Sequence, residues 1–239
     1  MGQQHPPRHR ARPGPSTRMT VFMAGCELRC QYCHNPDTWF TAKGTPVMLD
    51  EMVARISRYR GIFRATGGGI TISGGDPMMQ ARYVGNLLNA AHEMGIPTCI
   101  DTCGFLGADV TDQMLDDLGL VLLDIKSGDP ETYRRVTGQE LEPTLRFARR
   151  LAERGIETWV RYVLVPGLTD EVANVQAVAD FVATLGNVSR VEVLPFHQMG
   201  RDKYDSLGID YPLADASPPS AELLERVRGQ FRDVGVTVY

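Results

Sequence analysis

The chain has 239 residues, of which 43% are apolar and 23% charged, with a formal net charge of -4. That is enough for one large domain with a buried core, and the balance gives no reason to expect nucleic acid or an anionic membrane surface as partner. No apolar run approaches the roughly 18 residues of a membrane-spanning helix.

Residues 1–18 carry His5, Arg8, His9, Arg10, Arg12 and Arg18 with no acid and no apolar segment. They are not a secretory signal and read as a disordered or atypical tail ahead of one domain over residues 19–239. Met19–Gly25 is an apolar run that reads as the first strand. It delivers Cys26-Glu27-Leu28-Arg29-Cys30-Gln31-Tyr32-Cys33, three cysteines within eight residues. Over Leu49–Arg60 the apolar residues Met52, Val53, Ile56 and Tyr59 keep helical spacing, with Asp50 and Glu51 suited to the positive helix start. Gly69–Ser73 is a strand ending in Gly74-Gly75-Asp76-Pro77, and Met78–Met94 a helix closed by Gly95. Pro97–Thr102 is the third strand, followed by a helix around Thr111–Leu118.

Leu120–Ile125 is a nearly pure apolar strand with Asp124 near its end and Lys126 just beyond. Helices follow near Pro130–Val136 and over Pro143–Arg154, the second stopped by Gly155. Glu157–Val165 is strand five, Val172–Leu185 a helix with an Ala/Val face, and Ser189–Pro195 strand six, delivering Phe196 and His197. A loop with Pro212, Pro218 and Pro219 leads to a helix over Ala221–Val234 and a terminal strand, Val236–Tyr239.

Six strand–helix units with apolar strands predict an α/β fold whose parallel sheet is covered by helices. Eight units would close a barrel, so six predict a single-domain, open (β/α)6 partial barrel of the TIM type. In such folds chemistry sits at the C-terminal strand ends. Here those ends carry the cysteine loop, Gly74-Gly75-Asp76, Asp101-Thr102, Asp124 and Lys126, Arg161 and His197.

The cysteine loop has three readings. A structural zinc site wants four ligands and His34 could be the fourth, but such sites usually pair two knuckles from separate segments. Incidental buried cysteines at this density are improbable. An iron–sulfur cluster on three thiolates, its fourth iron open to a substrate or cofactor, fits best. Cys99 and Cys103, set in an extended segment, would lie about 13 Å apart at strand rise, beyond the roughly 7 Å limit of a disulfide. The chain reads as reduced and cytoplasmic.

Gly74-Gly75 alone is an ordinary turn signal, although backbone without Cβ also admits a charged ligand. Asp101, Thr102 and Asp124 could be caps or turn residues, yet Asp124 closes an apolar run and needs a partner. Asp124 and Lys126 lie two apart and face one side. Only three of the 25 basic residues are lysines (Lys43, Lys126, Lys203), so a compact ammonium at a strand end is a specific choice. Arg161 sits mid-strand and is expected to meet a carboxylate.

At this point a resemblance carries weight. Cys26-x3-Cys30-x2-Cys33, with aromatic Tyr32 before the last cysteine, resembles the cluster motif of the radical S-adenosylmethionine (SAM) enzymes. Tyr32-Cys33-His34-Asn35-Pro36-Asp37-Thr38-Trp39, Ser73-Gly74-Gly75-Asp76-Pro77, Asp101-Thr102 before Gly104-Phe105, and Leu123-Asp124-Ile125-Lys126 are similar to motifs of the pyruvate formate-lyase-activating family. So are Arg161-Tyr162-Val163-Leu164-Val165-Pro166-Gly167 and Leu194-Pro195-Phe196-His197, and the resemblance runs from about Gly14 to Tyr239.

It implies a radical SAM core holding a [4Fe-4S] cluster on Cys26, Cys30 and Cys33, with SAM chelating the open iron. It implies SAM contacts from Tyr32, His34, Gly74, Gly75, Asp101, Thr102, Asp124, Ile125, Lys126, Arg161 and His197, with Lys126 also in a catalytic role. A monovalent cation could be framed by Asp101, Thr102 and Asp124. The implied reaction is reductive cleavage of SAM to a 5′-deoxyadenosyl radical, which takes a hydrogen atom from a glycine of pyruvate formate-lyase. The implied partners are that glycyl radical enzyme and a flavodoxin or ferredoxin as electron donor, with the chain a monomer. Alternatives are activation of another glycyl radical enzyme, a radical SAM reaction on a small molecule, and a non-catalytic zinc protein. Asp76 stands where the family often has Glu, and the lead-in Gly14-Pro15-Ser16-Thr17-Arg18 is a shortened echo of the family's Asp-Gly-Pro-Gly-like turn and Arg.

Overall fold

The computed structural model describes residues 17–239; most of the expected tail, residues 1–16, lies outside them. Six strands form one sheet: β1 (Arg18–Met23), β2 (Gly69–Gly74), β3 (Thr98–Thr102), β4 (Leu120–Asp124), β5 (Thr158–Leu164) and β6 (Val188–Pro195). Their order is β1-β2-β3-β4-β5-β6 and every neighbouring pair is parallel. The helices are α1 (Leu49–Arg58), α2 (Arg60–Thr66), α3 (Ala81–Glu93), α4 (Asp112–Asp116), α5 (Pro130–Thr137), α6 (Glu142–Glu153), α7 (Val172–Ala183), α8 (Arg201–Leu207) and α9 (Ala221–Asp233). This is the open α/β half-barrel expected from the pattern, with β1 and β6 as its outermost strands. Among the described residues, no helix is long and apolar enough to cross a membrane.

Period-two alternation explains the two faces of the sheet. Ile70 and Ile72, Ile100, Val121 and Leu123, Val160 and Tyr162, and Val191 and Val193 all point outward beneath the helices and are at most 2% exposed. On α3 the residues Val84, Leu87, Leu88 and Ala91 form the buried stripe that meets them. Burying each large side chain of this kind contributes about 1.5–3 kcal/mol. The opposite face of β5 carries Trp159, Arg161 and Val163 into the half-barrel's interior, all only half-buried. Polar residues are tolerated there because the interior opens to the C-terminal rim.

Three expectations shift. Arg18, assigned to the tail, opens β1, and its Nε donates to Thr71 Oγ1 at 2.8 Å. The terminal strand Val236–Tyr239 is a single bridge, Val238 to Val191, supported by hydrogen bonds such as Val191 N–H to Thr237 O at 2.8 Å. Only the last few residues reach the β6 edge, too few for a ladder. The helix expected from Met78 begins as a 3-10 turn over Pro77–Gln80, capped by the Asp76 carboxylate on Met78 N–H.

Candidate active site

The loop after β1 is held by main chain from three sides. Gly25 N–H donates to Thr38 O at 2.6 Å and Cys26 N–H to Trp39 O at 3.2 Å, which folds the segment after the cysteines back onto the loop's start. Arg29 N–H reaches Thr137 O at 2.8 Å and Gln31 N–H reaches Val136 O at 3.0 Å. Both acceptors belong to the last turn of α5, whose carbonyls lack partners within the helix. From β2, Asp76 N–H donates to Gly25 O at 2.7 Å and Gly75 N–H to Met23 O at 2.8 Å. Below the loop, Tyr32, Val136, Val165 and Phe196 form a small apolar cluster of their own. From α8, Lys203 Nζ holds Asn35 Oδ1 at 2.9 Å and Asp37 Oδ1 at 2.8 Å.

Glycine is required where β2 meets this loop. Gly74 has φ of 114°, and a Cβ there would lie 2.4 Å from Met23 N and O. At Gly75 a Cβ would lie 2.2 Å from Gly25 O. A side chain at either position would push the cysteine loop off the sheet.

The loop and the strand ends enclose a cavity of about 520 Å³, within the size range of small-molecule sites. Cys26, Cys30, Tyr32, Cys33 and His34 line it from the loop, and Gly74, Gly75, Asp101, Thr102, Asp124, Lys126, Arg161 and His197 from the strand ends. Leu28, Val163, Leu194 and Pro195 supply apolar wall. Of the residues expected to contact a cofactor, Ile125 alone is placed elsewhere. It is fully buried in the main core, because the alternation that turns Asp124 and Lys126 to the cavity turns Ile125 away.

Charges on the wall are paired. Arg161 Nη1 meets Asp101 Oδ1 at 2.8 Å, the carboxylate partner the sequence calls for, and Ser73 Oγ donates to Asp101 Oδ2 at 2.8 Å. Lys126 Nζ meets Asp124 Oδ2 at 3.1 Å and lies 5.7 Å from the centre of the Tyr32 ring. Burial and the neighbouring Asp124 charge push the Asp101 carboxyl above its usual range, opposed by Arg161. Burial alone would lower the Lys126 pKa, but the neighbouring Asp124 carboxylate outweighs it and holds the ammonium charged. His34 stacks on His197, ring centres 4.2 Å apart, and burial together with that neighbour lowers the His34 pKa.

Two buried titratable residues at the cavity had been given no contact with a cofactor. Asp76 is 1% exposed and accepts Thr102 Oγ1 at 2.8 Å, Cys103 N–H at 2.9 Å and Cys103 Sγ at 3.0 Å. Thr102's hydroxyl is thereby committed to Asp76. Cys103 lies just past β3 and lines the cavity with the loop cysteines. The signal for Asp76 was an acid directly after a glycine pair at a strand end; Cys103 gave none. All five cysteines are free thiols.

The donor set fits a polynuclear, soft metal group. Burial, with the Asp76 charge, pushes the Cys26 thiol up to about 12, and burial does the same to Cys30. Metal binding to thiols so placed releases their protons. A cluster would give each of the three thiolates its own iron. The Tyr32 hydroxyl is buried without a partner among the described residues.

The model of the radical SAM superfamily matches residues 20–177. The chain is 38% identical over 224 residues to the pyruvate formate-lyase 1-activating enzyme of Escherichia coli (strain K12), covering 93% of this chain and 91% of that one. It is 37% identical over 221 residues to the pyruvate formate-lyase-activating enzyme of Clostridium pasteurianum, covering 92% of each. Among solved structures, Streptococcus suis SuiB bound to S-adenosylmethionine superposes with a TM-score of 0.69 at 16% identity, over 94% of this chain and 50% of that one. That last likeness speaks to the fold alone.

Proposed function

The chain belongs to the radical SAM superfamily and, within it, to the pyruvate formate-lyase-activating enzymes, and from that membership we propose that it is the activase of a pyruvate formate-lyase. When bound, the [4Fe-4S] cluster supplies an electron that cleaves SAM to methionine and a 5′-deoxyadenosyl radical, which takes a hydrogen atom from a glycine Cα of the partner enzyme.

Cys26, Cys30 and Cys33 would hold the cluster, since all three face one cavity from one anchored loop. Gly74 and Gly75, which line the cavity, would present main chain to the methionyl part of SAM. Lys126, kept charged by Asp124, suits a carboxylate, and Tyr32, His34, Asp124, Arg161 and His197 supply further polar contacts around it. Asp101 and Asp124 carry like charges close together, which suits a monovalent cation beside the main chain of Thr102. The apolar wall of Leu28, Val163 and Leu194 limits water near the reacting atoms. A flavodoxin or ferredoxin as electron donor, a monomeric state and a cytoplasmic location complete the reading.

The observation that carries it is the enclosure of all three loop thiols and five strand ends' polar groups in one cavity. Anaerobic reconstitution with iron and sulfide, followed by reduction with SAM, should release methionine and 5′-deoxyadenosine. Pyruvate formate-lyase added to the mixture should show the doublet of a glycyl radical in electron paramagnetic resonance. A chain that takes up no cluster, or a Cys30→Ala variant that still cleaves SAM, would sink the reading.

A further inference from the structure

β1 and β6 lie at opposite edges of the sheet, so among the described residues no strand ladder joins them, yet both deliver groups to one cavity. What crosses between their ends is mostly side chain. His34, just past the third loop cysteine, stacks on His197, just past β6, and its Nε2 lies 3.3 Å from the His197 carbonyl oxygen. Gly200 comes so near that a Cβ there would lie 3.0 Å from His34 Cα and 3.1 Å from Cys33 O. Lys203 Nζ donates to Asn35 Oδ1 at 2.9 Å and to Asp37 Oδ1 at 2.8 Å. The buried Tyr204 ring meets the Trp39 ring edge-on at 5.8 Å and 85°. Residues 197–204 thus grip residues 33–39 along their length.

We propose that α8 is a clasp that closes the open side of the half-barrel, with Lys203 as the positioning residue that pins it and Cys33 as the cluster ligand it steadies. The start of the cysteine loop is tied through main chain, from Gly25, Cys26, Arg29 and Gln31. The run from His34 onward hangs instead on the far edge of the sheet. An ammonium carries three donors, and Lys203 spends two of them on oxygens of two different residues in that run. Releasing Asn35 and Asp37 lets the segment open locally while the core stays folded, and it carries the adjoining His34 and Cys33 away from the cavity. The hold on Cys33 rests on the proposed cluster; the clasp itself does not.

The test compares the full-length protein with Lys203→Met, Asp37→Asn, the double variant, and Asp205→Ala as an exposed control on the same helix. All carry Trp159→Phe, which leaves Trp39 as the single tryptophan. Two quantities are read: acrylamide quenching of Trp39 in the cluster-free chain, and the rate at which an iron chelator strips the anaerobically reconstituted protein. A general loss of stability would leave the quenching of the folded chain unchanged. Lys203→Met and Asp37→Asn should each raise the quenching and speed iron loss roughly threefold to fivefold, the most that an ion pair with side chains 42% and 48% exposed is expected to carry. The double variant should do no more than either single one, and Asp205→Ala should match the parent. Single variants that behave like the parent, effects that add in the double, or an equal effect of Asp205→Ala overturn the proposal. So does raised quenching without faster iron loss, which leaves α8 with no hold on Cys33. If the parent takes up no cluster, it is the proposed function that fails, and the quenching still decides the clasp.

Discussion

The same six strands end in two differently built places. At the N-terminal end, Asp117 is 3% exposed and its carboxylate accepts Asn89 Nδ2 and Gln113 Nε2, each at 3.2 Å, while its carbonyl accepts Thr98 Oγ1 at 2.6 Å. The space beside it is about 10 Å³, too small for more than a water molecule. At the C-terminal end, the partly buried Asp101, Asp124, Lys126 and Arg161 surround about 520 Å³. Buried polarity closed on itself stabilises the fold. Buried polarity turned toward a cavity waits for a ligand. Substitutions should therefore separate cleanly: those at one end should move stability, those at the other chemistry.

The largest effect is expected from Cys30→Ala, which should abolish cluster uptake and SAM cleavage while leaving the far-ultraviolet circular dichroism of the cluster-free protein unchanged. Lys126→Met should come next. It removes the ammonium that would face the SAM carboxylate, and truncating one partner of such a charge pair costs about 2–5 kcal/mol, or roughly 30-fold and more in SAM affinity by equilibrium binding. Asp117→Ala, at the other end, leaves Asn89 and Gln113 without their acceptor and should cost about 1–3 kcal/mol in denaturant unfolding. Its SAM cleavage per loaded cluster at 25 °C should stay at the wild-type rate; a matching fall would erase the distinction between the two ends.

The smallest effect is expected from Asp129→Ala. The Asp129 side chain caps α5 by accepting Thr132 N–H at 2.7 Å, and that bond holds its carboxyl below the usual aspartate range. A carboxyl lowered in the folded state contributes stability that is present above its unfolded pKa and is lost as pH falls through the lowered value. The variant should thus be about 1 kcal/mol less stable at neutral pH and should converge on wild type in acid. Because α5 also carries two anchors of the cysteine loop, slower cluster loading in this variant would show the helix cap and the loop to be coupled.

Much of this was legible because strand and helix periods are local. The six strands emerge from runs such as Leu120-Val121-Leu122-Leu123, and their shared rim follows from parallel order alone. α8 was not legible: Arg201-Asp202-Lys203-Tyr204-Asp205-Ser206-Leu207 is mostly polar, and Tyr204 is its one buried residue. The link from Asp76 to Cys103 spans 27 residues and the stack of His34 on His197 spans 163, distances no local pattern encodes. Ile125 marks the opposite lesson. Motif likeness drew it into the site, although period-two alternation in the same four residues already turned it to the core.

The cysteine loop is tied by its backbone to the segment after it, to α5 and to β2, and none of those ties uses a sulfur atom. Its shape is therefore set before any iron arrives. A molecule stripped of its cluster by oxygen should keep the mould in which the cluster sat, ready to be refilled once iron and sulfide return. For a protein whose metal group is the most perishable part, that makes the polypeptide the durable component and the cluster a replaceable one.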